Sequence, residues 1–333
     1  MKEAKARSQA ELYATNMEKV TIGGQAVLEG VMMRNKGKYA VAVRKPDKEI
    51  DVKVQNFKPA GEKNALLKLP IVRGVINFVE SLVIGVKTLS YSASFFEDEE
   101  EEEKPKKSGK EKKQKELSPE AKARRDKAET AGTVAFSLVL AIGLFALFPA
   151  WLASLLDDVI GSRILIGLIE GVIRLLIFLG YVWAISMMED IKRTFMYHGA
   201  EHKTINCLEA GDDLTVENVM RHSRFHKRCG TSFLFIVMFV SILVFMCVST
   251  DILWLRLLLR VLLIPLIAGV SYEFIKYAGS HENVCANGLS KPGLWVQRLT
   301  TREPEAEMVE VAIRSVEGVL DWRAYLAEQK KTD

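Results

Sequence analysis

Charge is segregated along this chain of 333 residues, and that segregation limits what it can fold into. From Ala131 to Leu156 there are 26 consecutive residues without a charge, and from Cys229 to Thr250 another 22. A helix of about 20 apolar residues crosses a bilayer, so the pattern predicts a polytopic membrane protein. It excludes a wholly soluble enzyme and a disordered chain. The averages, 49% hydrophobic and 26% charged, hide this and would suit ordinary globular domains. A net charge of +4 is too small to indicate a nucleic-acid partner. The cysteines Cys207, Cys229, Cys247 and Cys285 form no C-x-x-C pair and imply no disulfide framework, which suits a reducing, cytoplasmic side. The polar N-terminus has no apolar signal region, so the first 130 residues are expected to stay in the cytoplasm.

Residues 1–96 read as a cytoplasmic N-terminal region, opening with a polar leader taken as a frayed helix over 1–20. Tyr39–Val43 and Ile50–Val54 are β-prone and are separated by turn residues, which predicts a hairpin in a small β-rich piece. Pro70 can open a helix from Ile71 to about Leu89. Its charges Arg73, Glu80 and Lys87 recur every seven residues along one face, which favours an interfacial or bundle-packing helix over a span. Residues 97–129 hold 12 acidic and 11 basic side chains, a mixture that buries no core and reads as a disordered linker. Residues 130–285 form the membrane bundle, with spans expected at 131–154, 163–188, 231–249 and 252–273. Residues 286–333 are a cytoplasmic loop followed by an amphipathic helix that Pro304 opens. The basic residues gather before the first span and in the 189–230 connection, so both termini and that connection are placed in the cytoplasm. The fold class is mainly α: a four-span helical bundle with a cytoplasmic helical hairpin and a small β-rich N-terminal piece.

Glu170 and Arg174 lie in the second span, and Arg256 and Arg260 in the fourth. At 1.5 Å per residue Glu170, Arg256 and Arg260 reach similar depths, roughly 6–12 Å from the same side. An isolated charge at the membrane centre costs about 3 kcal/mol, so Glu170 is expected to pair with Arg174 one turn on and with Arg256 or Arg260 across the bundle. The pairing could be a structural clamp or a polar pathway for an ion or proton.

Four of the five histidines fall within 29 residues, as the pairs His198/His202 and His222/His226. Random placement gives an expected count of about 0.06 for such i, i+4 pairs. On a helix that spacing puts both imidazoles on one face, where they can share a metal ion. The helical pattern after the second span runs through the first pair to a C-cap at Gly211, and a second helix from near Thr215 would carry the other pair. His198-x-x-Glu201-His202 also matches the inverted zinc-protease motif, in which the histidines hold the metal and the glutamate serves as base. Candidate further ligands are His226, His222, Cys229 and Glu273. Three readings stand: a catalytic metal, a structural metal that staples the hairpin, or histidines that bind no metal and contact the interface. Ile22–Arg34, with paired glycines, Glu29 and Arg34, reads as a turn entering a strand or helix, or as a ligand loop. There is no P-loop, Rossmann fingerprint or G-x-S-x-G.

The strings GGQAVLEGVMMR at 23–34, YHGAEHKTIN at 197–206, RCGTSF at 228–233 and GLWVQRLTTREPEAEMVEVAI at 293–313 together resemble the YqhQ-like family over nearly the whole chain. That family comprises bacterial, largely Firmicute, membrane proteins described as predicted metal-dependent enzymes, with no established substrate. The resemblance implies a multi-pass protein of the bacterial cell membrane. It carries His198, Glu201, His202, Cys229 and the nearby His226 with it, whereas His222 lies outside its strings. The leading expectation is a membrane-embedded, metal-dependent hydrolase at the cytoplasmic face. A divalent metal, expected to be zinc, would be held by His198, His202 and His226, with Cys229 and Glu273 as further candidates and Glu201 as base. Membrane lipid is the expected neighbour, and the substrate is unidentified. The alternative is a non-enzymatic transporter or scaffold with a structural metal, in which Glu170, Arg174, Arg256 and Arg260 matter and Glu201 does not.

Overall fold

A computed structural model describes residues 22–60, 65–96, 119–247, 250, 252–281 and 283–332. The leader over 1–20 and most of the charged linker, 97–118, lie outside the described residues. The chain is mainly helical, with a small antiparallel sheet near its N-terminus. The sheet is a meander of β1 (Gly23–Val27), β2 (Gly30–Asn35), β3 (Lys38–Arg44) and β4 (Ile50–Asn56) in sequential order. The expected hairpin is β3–β4, with Val41 opposite Lys53. The glycine-rich string forms a second hairpin, β1–β2, whose tight turn places Glu29 at φ 47°.

Helices cover the sheet on both faces, which explains why β3 carries a continuous buried run, Tyr39–Val43. Ala40 and Ala42 face one way with Val31 and Met33, against α5 (Glu189–Glu209) and α11 (Ala306–Val319). Tyr39, Val41 and Val43 face the other way, against Ile84 and Tyr91 of α1 (Val72–Ala93).

Three long helical segments, Ala128–Ser154, Ile164–Ile185 and Gly230–Cys247, are apolar enough to cross a membrane by length and composition. A fourth candidate is a pair of helices, α8 (Leu253–Leu262) and α9 (Ile264–Ser280), bent by 42° where Pro265 interrupts the helix. The first segment comprises α2 (Pro119–Ile142), a π-turn at Gly143–Leu147 and α3 (Phe148–Ser154). The second is α4 (Arg163–Ile185), and the third is α7 (Gly230–Cys247).

Several expectations need correction. The charged linker was expected to run to residue 129, but helix begins at Pro119, where alanines join the charges and Pro suits a first turn. The second span does not run on into the histidine pair. It ends at Ile185, and a new helix, α5, starts at Glu189 after extended Met188. The expected loop at 286–304 is irregular only from 301: over 286–300 it is helix, because α10 (Val284–Thr300) runs through Pro292, capped by Asn283 on the Ala286 N–H at 2.8 Å. Gly293 misleads, because a Cβ there would lie 2.6 Å from Ser232 Oγ of α7. That glycine allows close helix packing. The C-terminal helix breaks at Leu320 into α11 and α12 (Trp322–Thr332).

The charges inside the candidate spans meet as anticipated, with one choice resolved. Glu170 takes Arg174 Nη2–H at 2.6 Å and Arg260 Nε–H at 2.9 Å, and Arg260 Nη2 closes a second bond to it. Arg256 pairs with Asp157 instead, at 3.0 Å.

Candidate metal centre

The histidine pair that the sequence singled out lies in the middle of α5, where i, i+4 spacing stacks the two rings with centroids 4.4 Å apart. The second pair is not helical. Thr215 caps a short helix, α6 (Val216–Arg221), by taking the Asn218 N–H at 3.2 Å, and the chain turns extended at His222. His226 therefore sits in the irregular stretch 222–229, which leads into α7, and not on a helix face beside His222.

That stretch lies across α5 and α10. Lys203 Nζ donates to the Met220 and His222 carbonyls at 2.9 and 2.8 Å, and Asn206 donates to those of Ser223 and Phe225. From α10, the buried amide of Gln297 takes the His226 N–H at 2.9 Å and donates to the His226 carbonyl at 2.8 Å. The result places Cys229 at the N-terminal end of α7, directly over the α5 histidines.

His198, His202 and Cys229 offer one ligand atom each, all within 4.8 Å of one another. His198 donates Nδ1–H to the Thr300 carbonyl at 2.8 Å, which leaves Nε2 as a lone pair facing Cys229 Sγ at 3.2 Å. His202 likewise donates Nδ1–H to the Arg224 carbonyl at 2.6 Å, and its Nε2 is buried without a hydrogen-bond partner. A backbone carbonyl on one ring nitrogen fixes the tautomer and frees the other as a ligand. Cys229 Sγ accepts the Thr231 N–H at 3.4 Å and lies 3.1 Å from the Thr231 hydroxyl. Two imidazole nitrogens and a cysteine sulfur are a donor set that zinc accepts, with room in its coordination for a fourth ligand. Burial pushes the His202 pKa down, against the effect of neighbouring Cys229, so the ring favours its neutral, metal-binding form.

Glu201 is one position away and points elsewhere, toward β1. It accepts the Gly24 backbone N–H, and a Cβ on Gly24 would lie 2.7 Å from its carboxyl, so only glycine lets the strand approach so closely. Its Oε2 is buried without a partner. Burial raises the Glu201 pKa, and the charges of His198 and His226 oppose that rise.

Not every expected ligand joins the cluster. The His226 ring is 5.7 Å from that of His202, but both of its nitrogens are engaged. Nδ1 takes the Arg228 N–H at 3.3 Å, and Nε2 faces Glu209 at 3.3 Å. His222 pairs with Asp212 at 2.9 Å. Glu273 is held by Arg73 of α1, with Nε–H on Oε1 at 2.7 Å, and is not among the clustered groups. Cys229 takes the third position that the sequence favoured for His226. Sequence reasoning missed the Thr300 and Arg224 carbonyls and Gly24. A backbone carbonyl carries no residue signature, and Gly24 lies 177 positions from Glu201.

Residues 69–322 match a family described as "Protein of unknown function (DUF1385)". The "Uncharacterized protein YqhQ" of Bacillus subtilis (strain 168) is 38% identical over 315 residues, which cover 93% of this chain and 95% of that protein. No solved structure matches the chain. A match across most of the chain, including both arms of the candidate centre, places it in a family: this chain belongs to the DUF1385 family and is similar along nearly its whole length to YqhQ.

Proposed function

We propose that this chain is a membrane-embedded, metal-dependent enzyme, a hydrolase whose centre lies at the cytoplasmic face. Its metal is a divalent cation, zinc by the chemistry of the donor set, held by His198, His202 and Cys229. The observation that carries the reading is the pair of imidazoles locked by backbone carbonyls, with the partnerless Nε2 of buried His202 aimed at the group that also contains Cys229. When bound, such a cation supplies Lewis acidity and brings a coordinated water toward neutral pKa. The protein's part is to position and to exchange protons. Thr300 and Arg224 fix the rings, Thr231 donates its N–H to the Cys229 sulfur, and Glu201, next in sequence to His202, holds a carboxyl with one oxygen free of hydrogen bonds. That oxygen suits a proton acceptor, the role its place in His-x-x-Glu-His suggests.

The topology belongs to the same reading. The apolar segments cross the bilayer, both termini are cytoplasmic, and α5 with the 222–229 stretch lies just inside the membrane, so a membrane-borne substrate is favoured. A second reading has support in the Glu170 cluster: a transporter or scaffold with a structural metal. The two part on one experiment. Protein purified in detergent is assayed for metal by mass spectrometry, alongside His202→Ala and Glu201→Gln. The enzyme reading expects stoichiometric metal, lost in His202→Ala and kept in Glu201→Gln, with hydrolysis of a lipid-ester panel lost in both. Native protein free of metal would overturn both readings of the centre, and undiminished function of Glu201→Gln would favour the structural one.

A further inference from the structure

α1 exposes more aliphatic surface than a helix in water should. Its inward face is mostly small and polar, with Gly74, Asn77, Gly85, Thr88 and Ser92 beside Ile84, which packs on the sheet. Its outward face is aliphatic, with Val72, Val79, Leu82, Val83 and Leu89 each 39–51% exposed. At 100° per residue these five fall within one stripe, and the charged Arg73, Glu80 and Lys87 follow one edge of it. Mostly small and polar residues inward, with large aliphatics outward, are the arrangement of a helix whose surroundings are lipid.

Two observations say what covers that stripe. First, the N-terminal half of α1 packs on the candidate spans. Gly74 lies against the Gly269 backbone of α9, Asn77 donates to the Tyr272 hydroxyl at 2.7 Å, and Phe78 meets Phe233 of α7 with ring centroids 5.4 Å apart. The outward stripe therefore continues the apolar surface of the bundle, where Phe239, Leu243 and Phe274 are also exposed. Second, the charges are placed as at a bilayer surface. Arg73 is neutralised by Glu273, Glu80 pairs with Arg34, and exposed Lys87 can reach headgroups while its stem stays apolar.

We propose that α1 is a lipid-contacting helix, its outward stripe covered by acyl chains of the cytoplasmic leaflet, and that it holds the candidate centre against the bilayer. The proposal rests on the membrane reading above and extends it to a helix too charged to count as a span. α1 touches both arms of the centre. The Gln25 side chain lies on Gly85, one residue along β1 from the Gly24 that holds Glu201, and Phe233 is one turn from Cys229. A substrate that reaches the centre beside α1 is then an amphiphile with its headgroup at the site.

The test uses full-length protein in liposomes with single spin labels at Val79, Val83 or Leu82, and at Phe239 and Leu243 of α7. Labels on all five surface positions are compared for collision with oxygen and with a water-soluble nickel chelate. The expected result is oxygen accessibility exceeding nickel accessibility several-fold at 79, 82 and 83, as at 239 and 243. Nickel accessibility on α1 with lipid exposure at 239 and 243 overturns the proposal and leaves the membrane reading standing. Shielding of the α1 labels from both reagents overturns it in favour of a protein partner or a second copy. Nickel accessibility at all five overturns the proposal and the membrane reading together. Circular dichroism of each labelled protein confirms the fold.

Discussion

Two buried polar clusters organise this molecule, and they differ in what they leave unsatisfied. Around Glu170, both carboxylate oxygens are taken by arginines, and Arg174 spends its remaining donors on Ser241 Oγ at 2.8 Å and the Phe145 carbonyl at 2.8 Å. The π-turn at Gly143–Leu147 contains that carbonyl, and both guanidiniums lie over the Phe245 ring, at 4.9 and 4.7 Å. One Arg260 nitrogen is left without a partner. At the other cluster the unpartnered atoms are His202 Nε2 and, on the neighbouring residue, Glu201 Oε2, a lone pair and a carboxyl oxygen. The first cluster, apart from that one nitrogen, spends its charges on one another and ties α4, α7 and α8 together. The second spends backbone carbonyls on orienting two rings and then leaves them aimed at a shared point. Closure marks a clamp, and a preoriented set with open lone pairs marks a site.

The largest effect should come from breaking the clamp. Glu170→Gln leaves two guanidiniums in an apolar bundle with no counter-charge, and losing one partner of a buried pair costs about 3–5 kcal/mol. The variant should melt well below the native protein in detergent or fail to accumulate. The triple change Glu170→Leu, Arg174→Met, Arg260→Met, which removes every charge, should recover much of the loss. An unchanged melting temperature for Glu170→Gln would deny the clamp.

A smaller loss is expected at the open cluster, and it should depend on metal. A ligand present at 100 times its Kd stabilises the folded state by about 2.7 kcal/mol. A strong chelator should therefore lower the melting temperature of the native protein and leave that of His202→Ala where it is. Equal sensitivity of the two would show that His202 is no ligand. Glu201→Gln should instead melt no lower than the native protein, because burial already disfavours the ionised carboxylate. Gly24→Ala is the sharper probe of that side chain: its Cβ must displace Glu201 or the strand, at about 1–3 kcal/mol, with metal content unchanged.

The two clusters were not equally legible in the sequence. Glu170, Arg174 and Arg260 stand out because charge is rare in an apolar run, and one-turn spacing with matched depth suggested their pairing. His198 and His202 were legible for the same kind of reason, a spacing that a helix converts directly into proximity. His222 and His226 have that spacing too, but Thr215 starts a helix that lasts only to Arg221, so the spacing lost its meaning. Gly293 suggested a loop because its use in close packing against α7 depends on a partner helix far off in sequence. What escaped was long-range and residue-blind: the carbonyls of Thr300 and Arg224, and the approach of β1 to Glu201.

The smallest effect separates two buried cysteines that look alike in sequence. Cys207 and Cys229 are both buried and both free. Cys207 packs in the core under the sheet, near the Asp212 and Asp213 carbonyls, and burial, with the charges of those aspartates, pushes its thiol up to about 12. At pH 8 it is therefore a thiol with almost no thiolate, and alkylation should reach it only as the protein unfolds. Cys229 faces His198 Nε2 and a helix N-terminus, so its protection should be of another kind, set by whatever occupies the cluster. Mass-spectrometric mapping after brief alkylation of folded protein, with and without chelator, measures both. Cys207 should stay unlabelled in each case, and Cys229 labelling should rise when chelator is present. Labelling of Cys229 that ignores the chelator would mean that its thiol is not a ligand, and would leave the two histidines without their third partner.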